Sequence, residues 1–122
     1  MIQKKLQLMV YRKTKRTSNL VFKCEDGEFK IEGMLDGLRF IANMEQLRLA
    51  VIAGGGKGSW FELFDIHGNE WLLEVRCVNS VLAMQLWYKG KDDGAFTDFS
   101  WDGSVGEFDR AIRRLVSFEK IQ

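Results

Sequence analysis

One pattern occurs twice in this chain, and it limits the fold more than any other feature. Phe99-Ser100-Trp101-Asp102-Gly103-Ser104-Val105-Gly106-Glu107-Phe108 alternates apolar and polar residues, turns, and opens a helix. Leu38-Arg39-Phe40-Ile41-Ala42-Asn43-Met44-Glu45-Gln46-Leu47 follows the same order. In each copy a strand end (Phe99/Trp101, Leu38/Phe40) precedes a helix-capping residue (Ser104, Asn43). Three positions later stands Glu107 or Gln46, the spacing of a capping box. Apolar residues then recur at helical intervals: Val105, Phe108 and Ile112 in one copy, Met44, Leu47 and Val51 in the other.

The intervening segments read as strands. Residues 4–13 alternate, with Leu6, Leu8 and Val10 on one face and Gln7, Met9 and Tyr11 on the other. A polar turn over 14–19 leads to a strand over 20–24. Asp26-Gly27 is a hairpin signal before a strand over 28–34, in which Phe29 and Ile31 face inward. Leu38–Ile41 then forms a fourth strand, and 43–53 a helix that stops at Gly54-Gly55-Gly56. The second half repeats the plan: strands over 59–66, 70–78, 81–89 and 95–101, with turns at His67-Gly68-Asn69 and Asn79-Ser80, a loop over 90–94, and a helix from 105 to about 120. The expectation is one α+β domain over 1–122, built as an internal repeat (4–53 and 59–120). Each unit is four antiparallel strands followed by a helix, with the sheets packed on the helices. Leu47, Leu49 and Val51 also alternate. A rival reading therefore makes 43–53 a strand, giving nine strands and one C-terminal helix, similar to a pleckstrin-homology-like barrel.

The charge is unevenly placed. Through Lys23 there are seven basic residues and no acidic ones, whereas the remaining 99 residues carry 11 basic and 17 acidic. Such asymmetry marks either a contact with a polyanion or a solvated hairpin whose lysines guard a sheet edge. No apolar run reaches membrane-spanning length, and the N-terminus lacks the pattern of a signal peptide, so no membrane partner and a cytoplasmic location are expected. Cys24 and Cys77 sit inside apolar strand patterns and read as small buried hydrophobes rather than a disulfide.

No residue cluster names a reaction. His67, the one histidine, stands beside a turn glycine, and neither cysteine has metal-ligand spacing. Gly54-Gly55-Gly56-Lys57-Gly58-Ser59 departs from the phosphate-loop spacing and follows a helix instead of a strand, so it reads as a linker. Asp65, Glu70 and Asp98 have no spacing that requires a shared cation. The chain is therefore expected to be non-enzymatic, without catalytic residues, metal or cofactor.

Its aromatics are more informative. If Phe61, Leu63, Leu73, Val75, Leu82, Met84, Leu86 and Tyr88 pack on the helices, the opposite face carries Trp60, Phe64, Arg76 and Trp87. The first sheet would add Tyr11, Lys13, Lys23, Lys30 and Arg39. Rings beside Arg and Lys suit single-stranded nucleic acid, whose bases stack while cations follow its phosphates. The candidate binding set is Tyr11, Trp60 and Trp87 for stacking, and Lys13, Lys15, Arg16, Lys23, Lys30, Arg39 and Arg76 for phosphates. The competing expectation is that the aromatic face packs against a second copy, making a homo-oligomeric interaction module. A cavity between sheet and helices that takes a small ligand is a third.

Two units of four strands and a helix, with capped helices at Asn43 and Ser104 and basic N-terminal strands, resemble the Whirly and PUR proteins, and one unit resembles the coactivator PC4. The resemblance is of topology, since no Whirly-type lysine-rich signature is present on the second strand. It implies sheets that bind single-stranded DNA or RNA, often as oligomers, in transcription or DNA maintenance, and it carries no residue across by motif.

Overall fold

A computed structural model describes residues 4–54, 58–89 and 95–121. The chain runs β1 (Leu6–Arg12), β2 (Thr17–Cys24), β3 (Gly27–Leu35), α1 (Gly37–Ile52), β4 (Gly58–Phe64), β5 (Glu70–Val78), β6 (Val81–Lys89), β7 (Ala95–Ser104) and α2 (Val105–Ile121). It is an α+β protein with two antiparallel meanders, β1-β2-β3 and β4-β5-β6-β7. Neither sheet closes into a barrel.

The first unit has three strands, not four. Leu38–Ile41 belongs to α1, which begins at Gly37 rather than after Asn43. Asn43 is therefore a mid-helix residue. The N-cap is Asp36, held at φ 58 with no side-chain capping bond. The reason lies in the buried stripe Gly37, Phe40, Ile41, Met44, Leu47 and Val51, which keeps helical spacing across the whole segment. The strand alternative for 43–53 fails on the same ground. Leu47 and Val51 are buried, while Leu49, which a strand would place beside them, is 54% exposed. Gly54 ends the helix at φ 80, its N–H bonded to the Val51 carbonyl at 3.0 Å. Gly55, Gly56, Lys57 and the 90–94 loop lie outside the described residues.

The second unit follows the expected plan closely. Trp71, Leu73 and Val75 on β5, and Leu82, Met84 and Leu86 on β6, are buried in strict alternation. The β5–β6 hairpin closes through Asn79 (φ 52) and Ser80 (φ 65), the two left-handed residues of a type I′ loop. A side chain at the second position is strained, so Ser80→Gly should raise stability by about 0.5 kcal/mol, net of glycine's greater unfolded-state entropy. An unchanged or lower urea midpoint would refute this. Ser104 caps α2 as expected, its Oγ accepting the Glu107 N–H at 3.1 Å.

Two boundaries move for tertiary reasons. The β2–β3 turn is Glu25-Asp26, with Gly27 already in β3. Strand β2 starts at Thr17, because its polar first residues pair with the end of β3 across a bulge. The register steps from Ser18↔Met34 to Leu20↔Ile31, which sets Asn19 opposite both Glu32 and Gly33. Gly33 takes φ 68, and its N–H is satisfied by the buried Asn19 Oδ1 at 3.2 Å. The bulge also joins the sheets: the Gly33 carbonyl accepts the Ile66 N–H at 3.0 Å, and Met34 bridges Asp65.

One apolar cluster draws on both sheets and both helices. Phe22 of β2 lies 6.5 Å from Phe40 of α1 and 5.3 Å from Phe99 of β7, centroid to centroid. Phe29 meets Trp71, which meets Tyr88. Arg48 ties the helices, binding Glu45 on α1 and the Asp109 carboxylate on α2 at 2.8 Å.

Candidate nucleic-acid interface

The basic N-terminal segment folds into a compact turn. Lys13 and Thr14 N–H groups donate to the Thr17 carbonyl at 2.9 and 3.2 Å. The Thr14 hydroxyl accepts the Arg16 and Thr17 N–H groups. With the Thr14–Thr17 hydroxyl contact at 2.8 Å, every one of these ties involves threonine or backbone, and Lys13, Lys15 and Arg16 are left exposed for other partners. The start of α1 lies against this turn because Gly37 has no side chain. A Cβ there would stand 2.7 Å from Ser18 Oγ. That close approach sets Arg39 across from the turn.

Between them lies a cleft of about 970 Å³, lined by Arg12, Lys13, Lys15, Arg16 and Arg39, with Asp36 its one acid. Leu35, Asp36 and Arg39 also line a neighbouring cleft of about 320 Å³ along edge strand β4, whose outer side presents Trp60 and Phe64. Trp60 is 63% and Phe64 42% exposed. Cations and rings therefore adjoin through Arg39.

The charges in the first cleft are also chemically available. Elsewhere Lys4, Lys30, Arg48, Arg76, Lys89, Arg110 and Arg113 each face a carboxylate within ion-pair distance. None of the five cleft cations has an ion pair among the described residues.

The sequence-derived set thus divides. Lys13, Lys15, Arg16, Arg39 and Trp60 come together along the two adjoining clefts. Arg39 does so from a helix, not from the open sheet face where the alternation had put it. Tyr11, Lys23 and Lys30 share the outer face of the β1–β3 sheet, where Lys30 lies 3.8 Å from Glu32. Arg76 and Trp87 are on the outer face of the other sheet. Arg76 is paired with Glu74 at 3.2 Å, and Trp87 is half-buried opposite Leu72 and Thr97. Arg12 and Phe64 were absent from the sequence-derived set. Arg12 was legible in the basic run and Phe64 on the same sheet face as Trp60, but only β4's position along the second cleft sets Phe64 beside Arg39.

Other candidate chemistry has structural employment. The Asp65 carboxylate accepts the His67 and Asn69 N–H groups at 2.9 and 2.8 Å and so closes the β4–β5 turn. Asp98 accepts the Trp71 indole N–H at 2.9 Å, and Glu70 pairs with Lys89. Cys24 and Cys77 are both free and half-buried. No helix among the described residues is long and apolar enough to cross a membrane. Comparison with protein-family models, curated proteins and solved structures finds no match.

Proposed function

We propose that the protein is a non-enzymatic binder of single-stranded nucleic acid, acting in transcription or DNA maintenance. The observation that carries this reading is the gathering of five unpaired cations into one cleft that leads past Arg39 to exposed Trp60 and Phe64. The cations hold consecutive phosphates, and the two rings accept bases, a division of labour common to sequence-tolerant single-strand binders. Only the β4–β7 and α2 unit keeps the four-strand-and-helix order, on which the resemblance to PC4 rests and which implies the same ligand class; the first unit, with three strands and no cap at Asn43, does not.

The test is fluorescence anisotropy of a labelled oligo-dT against an equal-length duplex. Expected is a single-strand preference whose logarithmic salt slope becomes shallower by about 2 in Lys13→Gln/Lys15→Gln/Arg16→Gln, since each phosphate contact contributes about 0.7. Trp60→Ala should cost about 1–3 kcal/mol of binding. Salt-insensitive binding, or none at micromolar protein, would overturn the proposal.

A second reading is a homodimer through the outer face of the β4–β7 sheet. It is favoured by the exposed Trp60, Val78 and Val81 there, beside half-buried Leu72 and Trp87. It predicts a mass by light scattering that rises with concentration and reverts to monomer in Trp60→Ala. A monomer at all concentrations refutes it.

A further inference from the structure

Among the described side chains Lys5, Lys23 and Arg114 also lack an ion pair, and all three line one groove between β1 and α2. Every Lys or Arg whose side chain is described and that lacks an ion pair therefore lies in one of two places, at opposite ends of the β1–β2 hairpin. The cleft described above occupies the Arg12/Thr17 end, and this groove the Lys5/Cys24 end. The separation is the length of β1, seven residues or roughly 20 Å.

What lies between suits a nucleic-acid strand better than a gap would. Strand alternation sets Gln7, Met9 and Tyr11 on one face of β1, with Lys23 beside Gln7 across the β1–β2 ladder. This face carries no acid on β1 or β2; Glu28 and Glu32 stand on β3, and Glu25, in the β2–β3 turn, is the one acid lining the groove. Tyr11 is 38% exposed, and its hydroxyl donates to Met9 Sδ at 3.1 Å along the same face of β1.

The geometry points to a second phosphate station in the Lys5/Lys23/Arg114 groove, so that a bound single strand runs from the cleft over Tyr11 and along β1. This inference rests on the nucleic-acid reading above and defines its footprint. It makes binding depend on oligonucleotide length, because a short strand reaches one station and a longer one reaches both.

The experiment compares labelled oligo-dT of roughly 5 and roughly 15 nucleotides, a span typical of single-strand sites. The proteins are the wild-type chain and Lys5→Gln/Lys23→Gln/Arg114→Gln. All three side chains are exposed, so an unchanged far-UV circular dichroism spectrum and melting temperature should confirm the fold. The triple variant should bind the longer strand at least tenfold more weakly, with a salt slope shallower by about 2, and the shorter strand as wild type does. If it binds the longer strand like wild type, with an unchanged slope, the second station is wrong while the cleft stands. Absence of binding by the wild type at either length overturns both.

Discussion

Gly103→Ala should cost about 2–4 kcal/mol, far more than a methyl group at a half-buried strand position normally does. A Cβ at Gly103 would lie 2.4 Å from Cζ2 of Trp101, two residues earlier on the same face of β7. The indole is 3% exposed and cannot swing outward without leaving the core. Its N–H donates to the Lys4 carbonyl at 3.0 Å, which fastens the entry to β1 against the last strand. The cost combines overpacking, about 1–3 kcal/mol, with a lost hydrogen bond near 1 kcal/mol. Urea denaturation measures it, and a double-mutant cycle isolates the cause. Trp101→Leu is destabilising on its own, but adding Gly103→Ala to it should cost under about 0.5 kcal/mol, because the clashing ring is gone. Equal costs in the two backgrounds would refute the account.

Glu107→Ala should be comparably severe, at about 3 kcal/mol, or roughly 10 °C in melting temperature for a chain of this size. The residue is 7% exposed. Its carboxylate accepts the Leu6 N–H at 2.7 Å and binds the Arg110 guanidinium through both oxygens. Truncation strands a buried backbone donor at the start of β1 and leaves Arg110 unpaired. Glu107→Gln, which keeps an acceptor for Leu6 but not the charge, should lose about half as much. A thermal shift under about 3 °C for the alanine variant would show that β1 is anchored by other means.

The same carboxylate makes stability depend on pH. The Arg110 hydrogen bonds hold Glu107 below the usual carboxylate range, against the opposing effect of burial and with help from the Leu6 N–H. Asp65 is also lowered. Burial pushes it up most strongly of any single cause, but the Asn69 and His67 donors together outweigh burial. A carboxylate with a depressed folded-state pKa takes up a proton on unfolding. Its contribution is complete above the unfolded values, about 4, and is lost as pH falls through the lower folded ones. Urea midpoints should therefore hold level from pH 7 to 5 and fall below about pH 4. In Glu107→Gln the fall should be shallower.

These two sites show which parts of the molecule local sequence could reveal. Strands β5 and β6 were legible to the residue, because nine-residue alternations ending at Asn79-Ser80 admit one period and one register. Ser104 as the α2 cap was equally plain. The spacing that marked Glu107 as its capping partner was real, yet the carboxylate turns to Leu6, 101 positions away in the chain. Asn43 and Gln46 carried the same spacing and cap nothing, because the helix had already begun at Gly37. A four-residue apolar run such as Leu38–Ile41 fits strand and helix alike, and burial against a distant surface selects between them.

By itself the sequence determined that this chain forms antiparallel strands punctuated by two amphipathic helices, that the second half folds as a four-stranded meander, and that positive charge concentrates near the N-terminus. Those properties depend on side-chain period and turn chemistry, which act over a few residues. The tertiary structure alone decided the rest. Gly37 packing on Ser18 and Phe40 on Phe22 made 37–42 helical; the Gly33 bulge joined the sheets; and the turn, Arg39 and Trp60 converged on adjoining clefts. Each of these rests on contacts between residues far apart in the chain. Their free energy comes from burial and shape fit in the assembled core, and local propensity has no access to it.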